Sequence, residues 1–234
     1  MSKVQLRGIT TAFFDMGGTL TYCPTPNEER HRRAFARAGV TVSLESLRAT
    51  LPDMRRWQGP NRENYGWTQD SRDAFYSDSF AHLARLVQAP GDAAQIGRRM
   101  WETWEDDYAL YPDTRPALEG LQARGLKLGV ISNWDKTDLA DKLKDLGLAH
   151  FFRFILPSAM ADADKPAPKI FLDALAGIGS SPSEAIHVGD SYGADVVGAA
   201  GVGITGILVA RDAQEAPDGC LVVKRLDEIL DYLP

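Results

Sequence analysis

Residues 184–210 read EAIHVGDSYGADVVGAAGVGITGILVA. An apolar run closes on Gly189-Asp190, and a small-residue stretch at 192–200 has room for a helix. Gly201 and Gly203 stop it, and TGILVA (205–210) is a second apolar run. Strand, helix and strand in that order predict two parallel strands joined by a right-handed crossover. The same alternation continues on both sides. Upstream lie a helix at 114–124, a strand at 126–132 (LKLGVIS), a helix at 136–146, a strand within 152–158 (FRFILPS) and a helix at 168–176. Downstream come CLVV (220–223) and a last helix near 226–232. Near the start, TTAFFD (10–15) is a β-prone run that ends in Asp and a Gly-Gly turn, which reads as a buried strand.

Between that first strand and the rest, residues 23–112 carry helical patterns only. Asn27-Glu28-Glu29 starts a helix that Gly39 stops, Ser43 starts another, and further helices are predicted over 68–88 and 92–107. The segment 55–67, RRWQGPNRENYGW, rich in Arg and aromatics and lying between the second and third helices, is predicted to be a loop. The chain therefore reads as an α/β protein. Residues 1–22 and 113–234 form a Rossmann-like core with a parallel sheet, and 23–112 form an inserted α-helical cap domain.

Composition narrows the function classes. The 234 residues are 44% hydrophobic and 25% charged, as in soluble globular proteins. The formal charge of −6 argues against a nucleic-acid surface. No apolar run approaches the roughly 20 residues of a membrane span, and MSKVQLRGITTAFFD lacks the long apolar region of a secretory leader. Cys23 and Cys220 alone make no disulfide framework, so a cytoplasmic protein is expected. The sequence is silent on oligomeric state.

In an open parallel sheet, ligands bind beyond the carboxyl ends of the strands. Those ends carry Asp15 to Thr19, Ser132-Asn133 and Gly189-Asp190, with Lys165 and Asp195 close by in sequence. Mg²⁺ takes a few hard oxygen ligands and keeps several waters. A phosphoryl group calls for positive charge and hydrogen-bond donors. An ionised Asp can attack phosphorus. The set suits metal-assisted phosphoryl transfer to a small-molecule phosphorylated substrate. In 55–67, Arg55, Arg56, Trp57, Arg62, Tyr65 and Trp67 are candidate substrate readers, Arg56 and Arg62 foremost. His187 reads as a core histidine, and the four histidines show no zinc spacing.

Four segments in order, FFDMGGTL (13–20), VISN (130–133), DKPAPKIF (164–171) and HVGDSYGAD (187–195), resemble the motifs of the haloacid dehalogenase superfamily, its phosphatase and dehalogenase branch with a helical cap. The resemblance implies that Asp15 is a nucleophile forming an aspartyl-phosphate and that Thr19 braces its turn. Ser132 and the Asn133 backbone N–H would bind phosphoryl oxygens, and Lys165 would neutralise charge. Mg²⁺ would be held by Asp15, the Gly17 carbonyl and Asp190, with Asp195 either a further ligand or a supporting partner behind the ligands. One position departs from the pattern. The family's phosphatases carry a second Asp, a general acid, where this chain has Gly17. The phosphonoacetaldehyde-cleaving members use a cap lysine, and residues 23–112 contain no Lys. Two alternatives stay open: a 2-haloacid dehalogenase-type hydrolase, and a weakly active or non-catalytic ligand-binding protein.

Overall fold

The computed structural model describes residues 5–211, 217 and 219–234; residues 1–4 of the N-terminal stretch read above lie outside them. The chain divides into two compact units, 1–22 with 108–234, and 23–107. The strands are β1 (Thr11–Phe14), β2 (Thr21–Tyr22), β3 (Ala109–Leu110), β4 (Lys127–Ser132), β5 (Phe154–Pro157), β6 (Ala185–Gly189), β7 (Thr205–Val209) and β8 (Leu221–Val223). In the first unit six of them form one parallel sheet in the order β5-β4-β1-β6-β7-β8. β1 is central, and the direction of strand order reverses there. Phe14 lies opposite Val130 on one side and Val188 on the other, so the chain leaves β1, β4 and β6 at nearly the same level. A crevice at that reversal is where ligands of such sheets bind.

Alternation along β1 feeds two cores. Ala12 and Phe14 join a cluster with Leu128, Val130, Ile186, Val188, Leu118 and Leu139. Phe13 points to the other face and packs with Ile131, Ile170, Phe171 and Ala174. All four β1 residues are buried, as a strand covered on both faces requires.

The helical unit contains α1 (Asn27–Arg37), α2 (Leu44–Arg62), α3 (Gln69–Leu86) and α4 (Ala93–Glu102). Caps begin three of them. The Ser43, Thr68 and Asp92 side chains accept backbone N–H groups of the first turns of α2, α3 and α4. Its core joins Phe35, Leu47, Leu51, Met54, Phe80, Leu83 and Met100. The core unit adds α5 (Thr114–Ala123), α6 (Leu139–Asp145), the single turn α7 (Ser158–Ala161), α8 (Pro168–Ile178) and the short α9 (Gly198–Ala200).

Three sequence expectations are corrected. The 55–67 segment is not a loop throughout, because α2 runs on to Arg62 through Pro52 and Pro60. Leu47, Leu51 and Met54 bury a helical stripe, Trp57 stacks on Phe75 and His82, and Gln58 donates to Ser79, so packing outweighs the Gly-Pro signal. Residues 108–112 belong with the core unit rather than the insert, because β3 pairs antiparallel with β2. Residues 192–197 form a wide, π-type turn before α9, and 226–232 a 3-10 helix. Among the described residues, no helix is long and apolar enough to cross a membrane.

Candidate active site

The nucleophile turn is a compact backbone structure. Asp15 N–H donates to the Val188 carbonyl at 2.9 Å, which fixes the residue between β1 and β6. Leu20 N–H and Thr21 N–H both donate to the Met16 carbonyl at 2.9 Å, and Gly18 N–H donates to Thr21 at 2.7 Å. Gly18 has φ +75°, and a β-carbon there would stand 2.2 Å from Oδ2 of Asp190. Only glycine lets the Asp190 carboxylate lie against this turn. Gly17 is different: its φ is ordinary and a β-carbon would meet nothing within 4 Å.

Lys165 is the hub of the site. Its Nζ donates to Oδ1 of Asp15 at 2.6 Å, to Oδ1 of Asp195 at 2.6 Å and to the Ile131 carbonyl at 2.8 Å. The three bonds use every donor of the ammonium, and its side chain is only 2% exposed. Burial works against the charge, but the two carboxylates outweigh it and hold the ammonium above its usual pKa. Asn133 fixes the lysine's backbone from both sides. Its Oδ1 accepts from Lys165 N–H at 2.7 Å, and its Nδ2 donates to the Lys165 carbonyl at 3.0 Å.

The carboxylates differ by environment. Burial pushes Asp15 upward despite the attraction of Lys165. Asp195 is also buried, yet Lys165 and His187 hold it well below the usual range. Asp190 is pushed up to about 6, first by burial and then by the negative charges of Asp15 and Asp195.

The structure brings Asp15, Lys165, Asp190 and Asp195 together and places Ser132, buried, at the end of β4. It revises three roles. Asp195 is not set up as a metal ligand, because both its oxygens are committed inside the protein. Oδ1 takes Lys165 and His187 Nε2, the latter at 3.0 Å, and Oδ2 accepts Ser191 N–H at 3.0 Å. Thr19 does not brace the turn through its hydroxyl, which is buried with no hydrogen-bond partner among the described residues. Asn133 holds Lys165 as well as offering a backbone N–H. In the helical unit, Arg56 is exposed and pairs with Asp53, one turn back. Arg62 donates to the Gly66 carbonyl at 3.1 Å and lies 4.1 Å from the Trp67 ring centroid.

Sequence reasoning missed Arg211, two residues beyond β7. Its Nη2 donates to the Thr19 carbonyl at 2.6 Å and its Nε to the Gly18 carbonyl at 3.2 Å. The rule that places Asp15, Ser132 and Asp190 at strand ends extends to the Ala210-Arg211 that follows TGILV.

Two carboxylates, Asp15 and Asp190, together with the Gly17 backbone carbonyl make an all-oxygen donor set. That donor set fits a small hard cation such as Mg²⁺.

Comparison with known proteins follows the geometry. The sequence profile of haloacid dehalogenase-like hydrolases matches residues 9–203. Haloacid dehalogenase-like hydrolase domain-containing protein 3 of Bos taurus is 43% identical over 217 residues, covering 89% of this chain and 83% of its own. Ribulose-1,5-bisphosphate 5-phosphatase of Halopiger xanaduensis is 30% identical over 232 residues, 96% of each chain. Among solved structures, the magnesium-bound HAD-hydrolase YfnB of Bacillus subtilis superposes with a TM-score of 0.73 at 19% identity, covering 94% of this chain and 96% of that one.

Proposed function

This chain belongs to the haloacid dehalogenase-like hydrolase family, and we propose that it is a Mg²⁺-dependent phosphatase acting on a small phosphorylated metabolite. One observation carries the reading: a buried lysine bound at 2.6 Å to the Asp that ends β1, beside a second carboxylate against Gly18. That arrangement sets a carboxylate oxygen beside a fixed positive charge that can balance charge gathered on a phosphoryl group, which suits attack on phosphorus. The phosphatase named among the relatives supports the substrate class.

Asp15 supplies the oxygen that attacks phosphorus, and the P–O bond to the leaving group breaks to give an aspartyl-phosphate. Lys165 balances the charge gathered on Asp15 and the phosphoryl oxygens. The Ser132 hydroxyl and the Asn133 backbone N–H donate to those oxygens. Water then attacks the phosphorus and releases phosphate, restoring Asp15. Asp15, Asp190 and the Gly17 carbonyl would hold Mg²⁺, which when bound supplies charge neutralisation on the phosphoryl group. Asp195 and Asn133 position Lys165.

The test is a panel of acyl, aryl and alkyl phosphates and 2-haloacids, assayed with Mg²⁺ and with EDTA. Mg²⁺-dependent phosphate release is expected. Halide release that persists in EDTA selects the dehalogenase chemistry instead, and no turnover of any compound selects ligand binding.

Asp190→Asn should separate function from stability. At neutral pH the folded carboxylate is partly buried and sits near the charges of Asp15 and Asp195, so its ionised form costs stability, and that cost fades as pH falls through about 6. The carboxamide carries no such cost. Discounting for solvent screening, the metal-free variant should gain about 1 kcal/mol, or about 2–4 °C in Tm. It should also lose Mg²⁺-induced stabilisation and activity. A lower Tm would contradict the cost assigned to the ionised carboxylate, and unchanged Mg²⁺ dependence would remove Asp190 from the metal site.

For the helical unit we propose that Arg56 and Arg62 read the substrate. Replacement of either by Ala should raise KM with Tm nearly unchanged for exposed Arg56. The Arg62 variant should also lose the Trp67 stack, worth about 0.5–1 kcal/mol. Normal kinetics in both would make these arginines structural only.

A further inference from the structure

The turn that presents the nucleophile contains Gly17-Gly18, two residues without side chains to hold their shape. Consecutive glycines have wide conformational freedom, so the turn's geometry must come from bonds to its backbone. One clamp comes from another strand. Arg211 grips the carbonyls of Gly18 and Thr19 with two nitrogens, at 3.2 and 2.6 Å. Its third nitrogen, Nη1, donates to both oxygens of Asp113 at 3.1 and 3.0 Å. The guanidinium lies 3.5 Å from the ring centroid of Tyr111. Asp113 is itself 2% exposed and accepts Leu226 N–H, so it cannot swing to follow a loosened arginine. The guanidinium is thus held by the 111–113 segment while it holds the nucleophile turn. Such a planar fork can serve two carbonyls and a carboxylate at once, which a lysine ammonium cannot reproduce in the same plane.

We propose that Arg211 is a positioning residue for catalysis: by clamping the Gly18 and Thr19 carbonyls it fixes the Gly18–Thr19 and Thr19–Leu20 peptides, the second of which donates its N–H to the Met16 carbonyl, and so the aim of the Asp15 carboxylate and of the Gly17 carbonyl. The kinetic consequence rests on the phosphatase reading; the structural one does not. Arg211 touches no reacting atom. Its effect is transmitted through a turn two to four residues after the nucleophile, where a displacement of 1 Å can cost on the order of 10²-fold in rate.

Two measurements on Arg211→Gln and Arg211→Lys test this, the second variant guarding against loss of fold by keeping the charge and the aliphatic stem. The first is hydrogen–deuterium exchange of the peptide spanning Asp15–Tyr22. Its Gly18, Leu20 and Thr21 amides are bonded within the turn. Their exchange should quicken markedly in both variants while peptides from β4 and β6 keep wild-type protection. The second is steady-state kinetics. Turnover should fall about 10–100-fold with KM within about threefold, and added guanidinium should partly restore kcat in Arg211→Ala. Unchanged exchange in the turn overturns the clamp. Faster exchange with wild-type kcat overturns its catalytic consequence. If wild-type protein hydrolyses no phosphate ester, the phosphatase reading falls and the exchange result alone decides the clamp.

Discussion

Lys165→Met is expected to abolish useful turnover and to destabilise the fold together. The methionine fills the space but leaves Asp15 and Asp195 facing each other without the cation that now bonds both at 2.6 Å. Breaking a buried pair in this way typically costs about 3–5 kcal/mol. The rate should drop by at least about 10²–10³-fold, the scale for removing a charge-stabilising donor from a site. The pH dependence gives the sign. In the variant the unpaired carboxyls titrate higher in the folded state than in the unfolded chain, so acidification from pH 8 towards 5 should restore stability. The double variant Lys165→Met/Asp195→Asn removes one of the two stranded charges. It should recover much of the lost stability and none of the activity. Chemical denaturation at several pH values, with kinetics on the same samples, checks both halves. A Lys165→Met protein of wild-type stability would mean that the ion pair is not the organising contact of the site.

Gly17→Asp is expected to act in the opposite direction, as a gain. The wild-type chain has no carboxyl at this position to protonate a leaving group. General acid–base catalysis contributes about 10²–10⁴-fold where geometry is ideal, and a grafted group should deliver about tenfold. Space and backbone both permit the change, since a β-carbon at Gly17 meets nothing within 4 Å and φ is not left-handed. The gain should appear on alkyl phosphates, whose alkoxide leaving groups need a proton, and be small on aryl and acyl phosphates. Rapid alkyl phosphate hydrolysis by the wild type would show that Gly17 is no deficit. The neighbouring glycine is not interchangeable with it. Gly18→Ala would drive a methyl into the Asp190 carboxylate and force a β-carbon onto a left-handed backbone.

Much of this site was legible from sequence because strand ends announce themselves. Apolar runs ending in Asp15, Ser132 and Gly189-Asp190 place three groups at one sheet edge once the strands are parallel and neighbouring, which the alternation with helices predicts. Less legible was which atoms each residue commits. Spacing leaves Asp195 open as a metal ligand or as a supporting partner; its oxygens are spent on Lys165, His187 and Ser191, which tertiary approach decides. Arg211 is distant from the turn in sequence and belongs to none of the four motifs, so only the β1-β6-β7 adjacency reveals its contact with Gly18 and Thr19. The extension of α2 through Gly59-Pro60 was hidden for a related reason. Local propensity marks a break there, and the contacts of Trp57 and Gln58 with α3, absent from any local window, override it.

The most direct measurement is the thermal shift produced by Mg²⁺ with beryllium fluoride, a mimic of the aspartyl-phosphate, in wild-type protein and in Asp15→Asn. Because such a ligand binds only the folded state, saturation at about 100 times its Kd should add about 2.7 kcal/mol to wild-type stability. For a chain of this size that is a rise of several degrees in Tm, and the Asn variant, which has no carboxylate to take the adduct, should show none. An absent shift in the wild type, or an equal shift in Asp15→Asn, would contradict phosphorylation of Asp15.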